Sequence, residues 1–374
     1  MINLNKIYYS GKELDYISQA MSSGKVSGNG SFTQKCQQFF EDRFQFKKVL
    51  LTPSCTAALE LAALLLDIKD GDEVIMPSFT FVSTANAFAL RGAKIVFVDS
   101  RSDHPNMDAE AIEALITPKT KVIVPVHYAG IACDMDKIME LAKKYDIFVV
   151  EDAAHAIDSY YNKKSLGSIG HLAAFSFHET KNITSGEGGM LVINDSRFRD
   201  RAEILREMGT NRTAFFRGDV DSYGWVDVGS SFLLSEVSAA FLYAQIEALE
   251  YIQTKRRAAW NQYYDGLKTL HENRDIILPT IPYFAHNNAH LFYFQTNSLK
   301  ERIELQQHLI NNNVVSAFHY LSLHKSPFFQ DKYHGPILPH SEVYTNTLLR
   351  LPLFTDIQKE DLTRIIELIA IFYK

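Results

Sequence analysis

The stretch Ile147-Phe148-Val149-Val150-Glu151-Asp152-Ala153-Ala154-His155 is where the architecture becomes readable. Four apolar residues follow one another without a polar break, three of them β-branched, and the run ends in two carboxylates. An uninterrupted apolar run of that length reads as a strand buried on both faces. Four similar runs precede it: Val49-Leu50-Leu51, Glu73-Val74-Ile75-Met76, Lys94-Ile95-Val96-Phe97-Val98 and Val122-Ile123-Val124-Pro125-Val126. Amphipathic stretches at Thr56–Leu66, Thr84–Leu90 and Met135–Lys144 lie between them. Strand and helix in regular alternation predict an α/β fold with a mostly parallel sheet covered by helices on both faces.

Beyond the central run come Ala173-Ala174-Phe175-Ser176-Phe177 and Gly189-Met190-Leu191-Val192-Ile193, then helical pattern from Ser235 to about Leu267. Pro279 and Pro282 mark a break. A strand at Leu291–Phe294, a helix at Arg302–Asn311, a strand at Val314–Phe318 and a helix at Lys359–Phe372 complete the pattern. The expected organisation is a large α/β domain, residues 1–250, followed by a smaller C-terminal α/β domain, residues 251–374.

Lys plus Arg number 38 and Asp plus Glu 44, so the net charge is −6, with no long basic run to neutralise a phosphate backbone. A dedicated nucleic-acid binder is therefore not expected. Three scattered cysteines, Cys36, Cys55 and Cys133, make neither a disulfide framework nor a zinc site. Met1–Lys6 lacks the charged-then-apolar pattern of a signal peptide, and no apolar run reaches bilayer length. The expected location is the cytoplasm, with no membrane partner.

In doubly wound sheets, ligands gather beyond the C-terminal ends of the strands. The residues there are Thr52–Thr56, Pro77–Phe81, His127-Tyr128, Glu151–His155 and Ser176–Lys181. Asp152 has two readings: a helix N-cap, or the partner of a protonated pyridine nitrogen, as pyridoxal phosphate enzymes require. Lys181 favours the second, because a desolvated lysine becomes nucleophilic enough to form a Schiff base. Ser54-Cys55-Thr56 stands at a helix start, where free N–H groups make a phosphate cup. Phe81 is a core aromatic or a stacking face for a cofactor ring, and His155 is within reach of the same ring.

Taken in order, four stretches form a signature: Ser54–Leu59, Pro77–Thr84, Glu151–Ala156 and Phe175–Asn182. With His319–His324 and Arg350-Leu351-Pro352-Leu353, they make the chain resemble, over nearly its whole length, the DegT/DnrJ/EryC1/StrS sugar aminotransferases. These are fold-type I enzymes that use pyridoxal 5′-phosphate. Leu50–Thr56, Val124–Gly130, Gly209–Arg212, Phe215–Gly218 and Gly229–Phe232 resemble the branch that aminates dTDP-4-keto-6-deoxyglucose, with L-glutamate as donor. That branch makes 4-amino-4,6-dideoxygalactose for enterobacterial common antigen, a step in surface lipopolysaccharide assembly. Cys55 replaces a common Gly, His155 a frequent Gln, Ser231 a frequent Asn and Ser322 a proline. His155 also occurs in the branch acting on a UDP-linked sugar.

The resemblance implies that Lys181 carries the cofactor and shuttles protons, that Asp152 holds the pyridine proton, and that Phe81 and His155 flank the ring. It implies phosphate contacts from Cys55, Thr56 and Ser176, joined by Ser231 of a second copy in a homodimer with shared active sites. His319 and Tyr320 would approach the sugar, and Asn211, Arg212 and Arg217 the nucleotide diphosphate. The gluco epimer, a UDP-linked 4-amino sugar, or dehydration by a pyridoxal-dependent relative stand as alternatives. Dehydratases of this type have His in place of the lysine, which Lys181 argues against.

No metal is expected. His286 and His290 have four-residue spacing but precede a strand and enclose no carboxylate. Gly28-Asn29-Gly30 lacks the buried strand of a dinucleotide fingerprint and reads as a turn. His104, His271 and His334 lie in polar segments and are expected at the surface.

Overall fold

The computed structural model describes residues 1–374. Twelve strands follow in chain order: β1 (Val49–Thr52), β2 (Glu73–Pro77), β3 (Lys94–Val98), β4 (Thr120–Ile123), β5 (Phe148–Asp152), β6 (Tyr160–Tyr161), β7 (Lys164–Ser165), β8 (Leu172–Ser176), β9 (Gly189–Ile193), β10 (Ala285–His286), β11 (Phe292–Gln295) and β12 (Leu348–Leu351). Seven of them form one sheet in the order β1-β9-β8-β5-β4-β2-β3. Only β9 runs against its neighbours, pairing antiparallel with both β1 and β8. All the other pairings are parallel.

Side-chain alternation explains why the strands read as unbroken apolar runs. Val49 and Leu51 enter a core with Phe40, Phe175 and Ile246 on one face, while Leu50 enters a second core with Leu59, Ala62 and Phe88 on the other. Each face of the sheet is thus buried beneath helices, among them Cys55–Leu65 on one side and Ser31–Phe44 and Glu236–Glu247 on the other. A separate core joins Tyr263, Phe292, Phe294, Leu305, Leu349 and Ile365, and Ile2 reaches it from the N-terminus. It is built on the two-stranded sheet of β11 and β12.

Several local expectations need correction. Val314–Phe318 is not a strand: Val314 bridges Ile2 and Ala317 bridges Arg350, two isolated bridges to different partners. The helical stretch after Ser235 is two helices, Glu236–Glu247 and Leu249–Gly266, meeting at Ala248. The helix expected at Arg302 starts at Leu299, where Ser298 caps it by accepting from the Glu301 N–H at 3.2 Å. His104 is buried at 2% exposure, and burial pushes its imidazole down to about 4. Gly28–Gly30 leads into the helix Ser31–Phe44, whose first N–H groups donate to the buried Glu236 carboxylate. No helix is long and apolar enough to cross a membrane.

Candidate active site

A cavity of about 500 Å³ opens at the C-terminal ends of β1, β2, β5 and β8, and is walled on its far side by His319, Tyr320 and Arg350. Of the residues singled out above, Cys55, Thr56, Phe81, Asp152, His155, Ser176, Lys181, His319 and Tyr320 line it.

Asp152 is the last residue of β5 and 6% exposed. Its Oδ2 accepts from Thr84 Oγ1 at 2.7 Å and its Oδ1 from the Ala154 N–H at 3.2 Å. No helix follows, so the N-cap reading fails: the chain after Asp152 is a series of turns. Burial raises the Asp152 pKa, against the pull of those two hydrogen bonds and of Lys181. A cation placed opposite favours the ionised form and opposes that rise.

Lys181 follows β8 in a turn, its N–H donating to the His178 carbonyl at 2.9 Å. Its half-buried ammonium has no hydrogen-bond or ion-pair partner in the chain. Desolvation is the main cause that lowers its pKa to about 8; Cys55 and Asp152 oppose the shift and the charge of Arg350 adds to it. The result is an amine close to the balance point between acid and nucleophile.

His155 is buried, and its pKa falls well below the usual histidine range, first from burial and then from the charges of Lys181 and Arg350. A neutral ring is the consequence. Its Nδ1 accepts from the Ala129 N–H at 3.2 Å, so the proton belongs on Nε2, which lies 3.2 Å from the Tyr320 hydroxyl. His290, which the sequence offers only as half of a rejected metal pair with His286, has its ring centroid 4.3 Å from that of His155. His290 donates from Nδ1 to Asn182 Oδ1 at 2.8 Å, and Asn182 is held by Gln253 and the Asn288 carbonyl. Such a pairing across 108 residues leaves no local signal in the chain.

Ser54 caps the helix Cys55–Leu65 by accepting from the Ala57 N–H at 3.0 Å. The N–H groups of Cys55 and Thr56 precede the first intrahelical bond and stay available to an anion. Gly189, at the start of β9, passes so close that a Cβ there would stand 2.5 Å from the Cys55 nitrogen. Thr56 Oγ1 donates to Ser83 at 2.8 Å, and Phe81, 53% exposed, offers a ring face to the cavity 5.8 Å from Tyr320. Burial pushes the Cys55 thiol well above its usual range, followed by the charge of Asp152.

Ser231, Asn211, Arg212 and Arg217 do not line this cavity. Ser231 is exposed and bridges Glu207. Asn211 accepts from the Gly224 N–H at 2.8 Å, Arg212 lies over the Phe216 ring at 5.2 Å, and Arg217 pairs with Glu203 and Asp219. Around them Phe216, Tyr223 and Trp225 are exposed, Trp225 to 82%.

A free amine of lowered pKa, a buried carboxylate, an exposed aromatic face and an unfilled N–H cup are the donor set that pyridoxal 5′-phosphate requires. The residues present fit the group.

Comparison with known proteins agrees. Residues 8–370 match the DegT/DnrJ/EryC1/StrS aminotransferase family. An uncharacterized protein of Methanocaldococcus jannaschii, MJ1066, is 33% identical over 363 residues, which span 95% of this chain and 93% of that one. Among solved structures, Spr1654 of Streptococcus pneumoniae, assigned as a sugar aminotransferase and solved in its PMP form, superposes with a TM-score of 0.92 at 26% identity, covering 100% of this chain and 99% of that one. The aminotransferase TlmJ of Streptoalloteichus hindustanus gives 0.90 at 27% identity, covering 100% and 99%. The α/β fold with one antiparallel strand in its sheet is thus the fold-type I architecture, and the chain belongs to the DegT/DnrJ/EryC1/StrS aminotransferase family, enzymes that work with pyridoxal 5′-phosphate.

Proposed function

We propose that this aminotransferase acts on a nucleotide-linked sugar, moving an amino group from L-glutamate to C4 of dTDP-4-keto-6-deoxyglucose to give the 4-amino-4,6-dideoxygalactose product. The observation that carries the transaminase reading is the unpartnered Lys181 amine of lowered pKa, facing the buried Asp152 in one cavity. The choice of sugar is supported by the branch-specific stretches Val124–Gly130 and Gly209–Arg212. A cytoplasmic setting suits the nucleotide-sugar substrate.

Bound in the cavity, the cofactor supplies an electron sink for the carbon that loses or gains a proton. Lys181 Nζ takes that proton and returns it, and a pKa near neutrality lets one atom do both. Asp152, its carboxylate fixed by Thr84, would keep the pyridine nitrogen protonated. His155, neutral and pinned by Ala129, presents its Nε2–H beside Tyr320 without adding a competing charge. The N–H groups of Cys55 and Thr56, with Ser176, would hold the phosphate, and Phe81 would offer its face to the ring. His319 and Tyr320, on the cavity wall, would approach the sugar.

In this reading the enzyme is a homodimer, with Ser231 completing the phosphate site and Asn211, Arg212 and Arg217 the diphosphate site of the partner. Support comes from the position of these residues outside their own cavity, on a segment whose Phe216 and Trp225 are exposed. The test is incubation with dTDP-4-keto-6-deoxyglucose and ¹⁵N-labelled L-glutamate, with NMR of the product. An axial nitrogen at C4 is expected. An equatorial one means the gluco epimer, and a product without nitrogen overturns the transaminase reading.

A further inference from the structure

His290 is a buried imidazole on the cavity wall that takes no part in the steps assigned to Lys181 and Asp152. Its ring centroid lies 4.3 Å from that of His155, closer than any other pair of aromatic rings in the chain; the next, Phe97 and Phe329, stand at 4.9 Å. Burial first, then the surrounding positive charges, hold both pKa values well below the usual range, so two neutral rings meet. The backbones are locked together as well. Asn288 donates from Nδ2 to the His155 carbonyl at 2.8 Å, while its Oδ1 accepts from the His290 N–H at 3.0 Å. Arg256 donates to the carbonyls of Ala289 and His290 at 3.1 and 2.5 Å.

The setting of the His290 ring traces back to a charge outside the cavity. Asp158 pairs with Arg257 at 2.6 Å, and its carboxylate can only accept. Gln253 therefore turns its Nε2 toward Asp158, at 3.2 Å, and its Oε1 toward Asn182 Nδ2, at 2.7 Å. Asn182 is left with Oδ1 for His290, so the proton between them sits on His290 Nδ1. Gln253 and Arg256 are neighbours on one face of the helix Leu249–Gly266, and Asn182 directly follows Lys181. The ring behind His155 is thus tied to the residue next to the reactive lysine. His155 needs this support. Its Nδ1 accepts from the Ala129 N–H and its Nε2 lies beside the Tyr320 hydroxyl, both at 3.2 Å. Two such bonds define an axis and leave the ring free to rock about it. The His290 ring closes off that motion on one side.

We propose that His290 is a positioning residue: its ring, seated by Asn182 and Asn288, holds the plane of His155 so that the Nε2–H stays directed into the cofactor cavity. The effect on turnover rests on the transaminase reading above and deepens it.

The test compares His290→Ala, which removes the supporting ring, with His290→Phe, which keeps a ring but cannot donate to Asn182. In full-length enzyme labelled with ¹⁵N-histidine, two-bond ¹H–¹⁵N spectra report which nitrogen carries the proton, and His155→Gln assigns the signals. The parent and the Phe variant should show His155 as a single Nε2–H form, and the Ala variant a mixture of both forms. In the cofactor-loaded enzyme the Ala variant should lose about 10- to 100-fold in kcat, as a misplaced group does, with both KM values near the parent's. The Phe variant should recover most of that loss while melting below the parent, because Asn182 Oδ1 has lost its donor. Parent-like His155 signals and kcat in the Ala variant overturn the proposal. An equal loss of kcat in both variants, or a loss confined to KM, overturns it too, since the imidazole itself would then be a ligand contact. Should the Ala variant not fold, the Phe variant decides: a mixture of His155 forms there refutes the ring as the support. A parent enzyme without transaminase activity contradicts the wider reading, while the histidine spectra, taken without cofactor or substrate, still judge His290.

Discussion

The lowered pKa of Lys181 can be measured, and its size follows from where the residue sits. An ordinary lysine titrates at 10.5, and desolvation in the cavity brings Lys181 to about 8. At pH 7 that leaves about 9% of the amine neutral instead of about 0.03%, a gain of roughly 300-fold in the nucleophilic form. Cofactor-free enzyme should therefore take up pyridoxal 5′-phosphate with a rate that rises through a midpoint near pH 8 and levels above it. Stopped-flow absorbance follows the uptake, and borohydride trapping with peptide mapping identifies Lys181 as the site. The stability of the cofactor-free enzyme carries the same signature. Because the folded value lies below the unfolded one, the unfolded chain binds more protons between about pH 8 and 10.5. The penalty for burying the ammonium is complete below about pH 8 and is relieved as the pH climbs through that window. A midpoint at 10 or above, or label on another lysine, would refute both the desolvation argument and the choice of residue.

Asp152→Asn keeps the size of the side chain and can still accept from the Ala154 N–H, so it should cost at most about 1 kcal/mol of stability. Amination of the bound cofactor by L-glutamate should nonetheless slow by about a thousandfold, or about 4 kcal/mol, in single-turnover absorbance. A rate near the parent's would make Asp152 structural. Gly189→Ala places a methyl group against the Ser54–Cys55 backbone, which cannot yield as a side-chain tip would. It should lose about 1–3 kcal/mol in thermal melts and bind cofactor more weakly, and parent-like melting and affinity would contradict the close approach. If Ser231 and Arg217 serve a partner's site, mixing inactive Lys181→Ala chains with inactive Ser231→Ala/Arg217→Ala chains should restore part of the activity through hybrid dimers. No recovery after subunit exchange would rule that out.

The sheet and the strand-end residues were legible because buried strands and their polar ends are written consecutively. Val49–Leu51, Lys94–Val98 and Gly189–Ile193 declare themselves by composition, and the ligand edge follows from topology. Lys181 and Asp152 were found that way, and their presence in one cavity follows from the parallel pairing of β5 with β8. Whatever depends on distant pairing escaped. Val314–Phe318 has the composition of a strand, but its would-be partners lie at residues 2 and 350 and take one residue each. His104 stands in the polar run Ser102–Pro105, yet the fold covers it. His290 was weighed only against His286, whereas its neighbour is His155.

The reversed direction of β9 bears on how firmly the reactive lysine is held in time. The chain leaves the ligand edge at Ser176 and re-enters the sheet at Gly189 on the same edge, so residues 177–188 form a short loop clamped between two directly paired strands. No crossover helix has to dock before Lys181 is in place. The ladder from Leu172↔Ile193 to Ser176↔Gly189 lies inside the sheet, between β5 and β1. Opening it would expose both cores, so its amides should exchange with solvent only on the timescale of global unfolding. Lys181 is thus tethered to a ladder expected to be among the slowest to exchange, while Arg350 hangs on a two-stranded sheet in another core. Heating or mild denaturant should release the Arg350 wall first and leave the lysine loop native-like until the whole sheet fails.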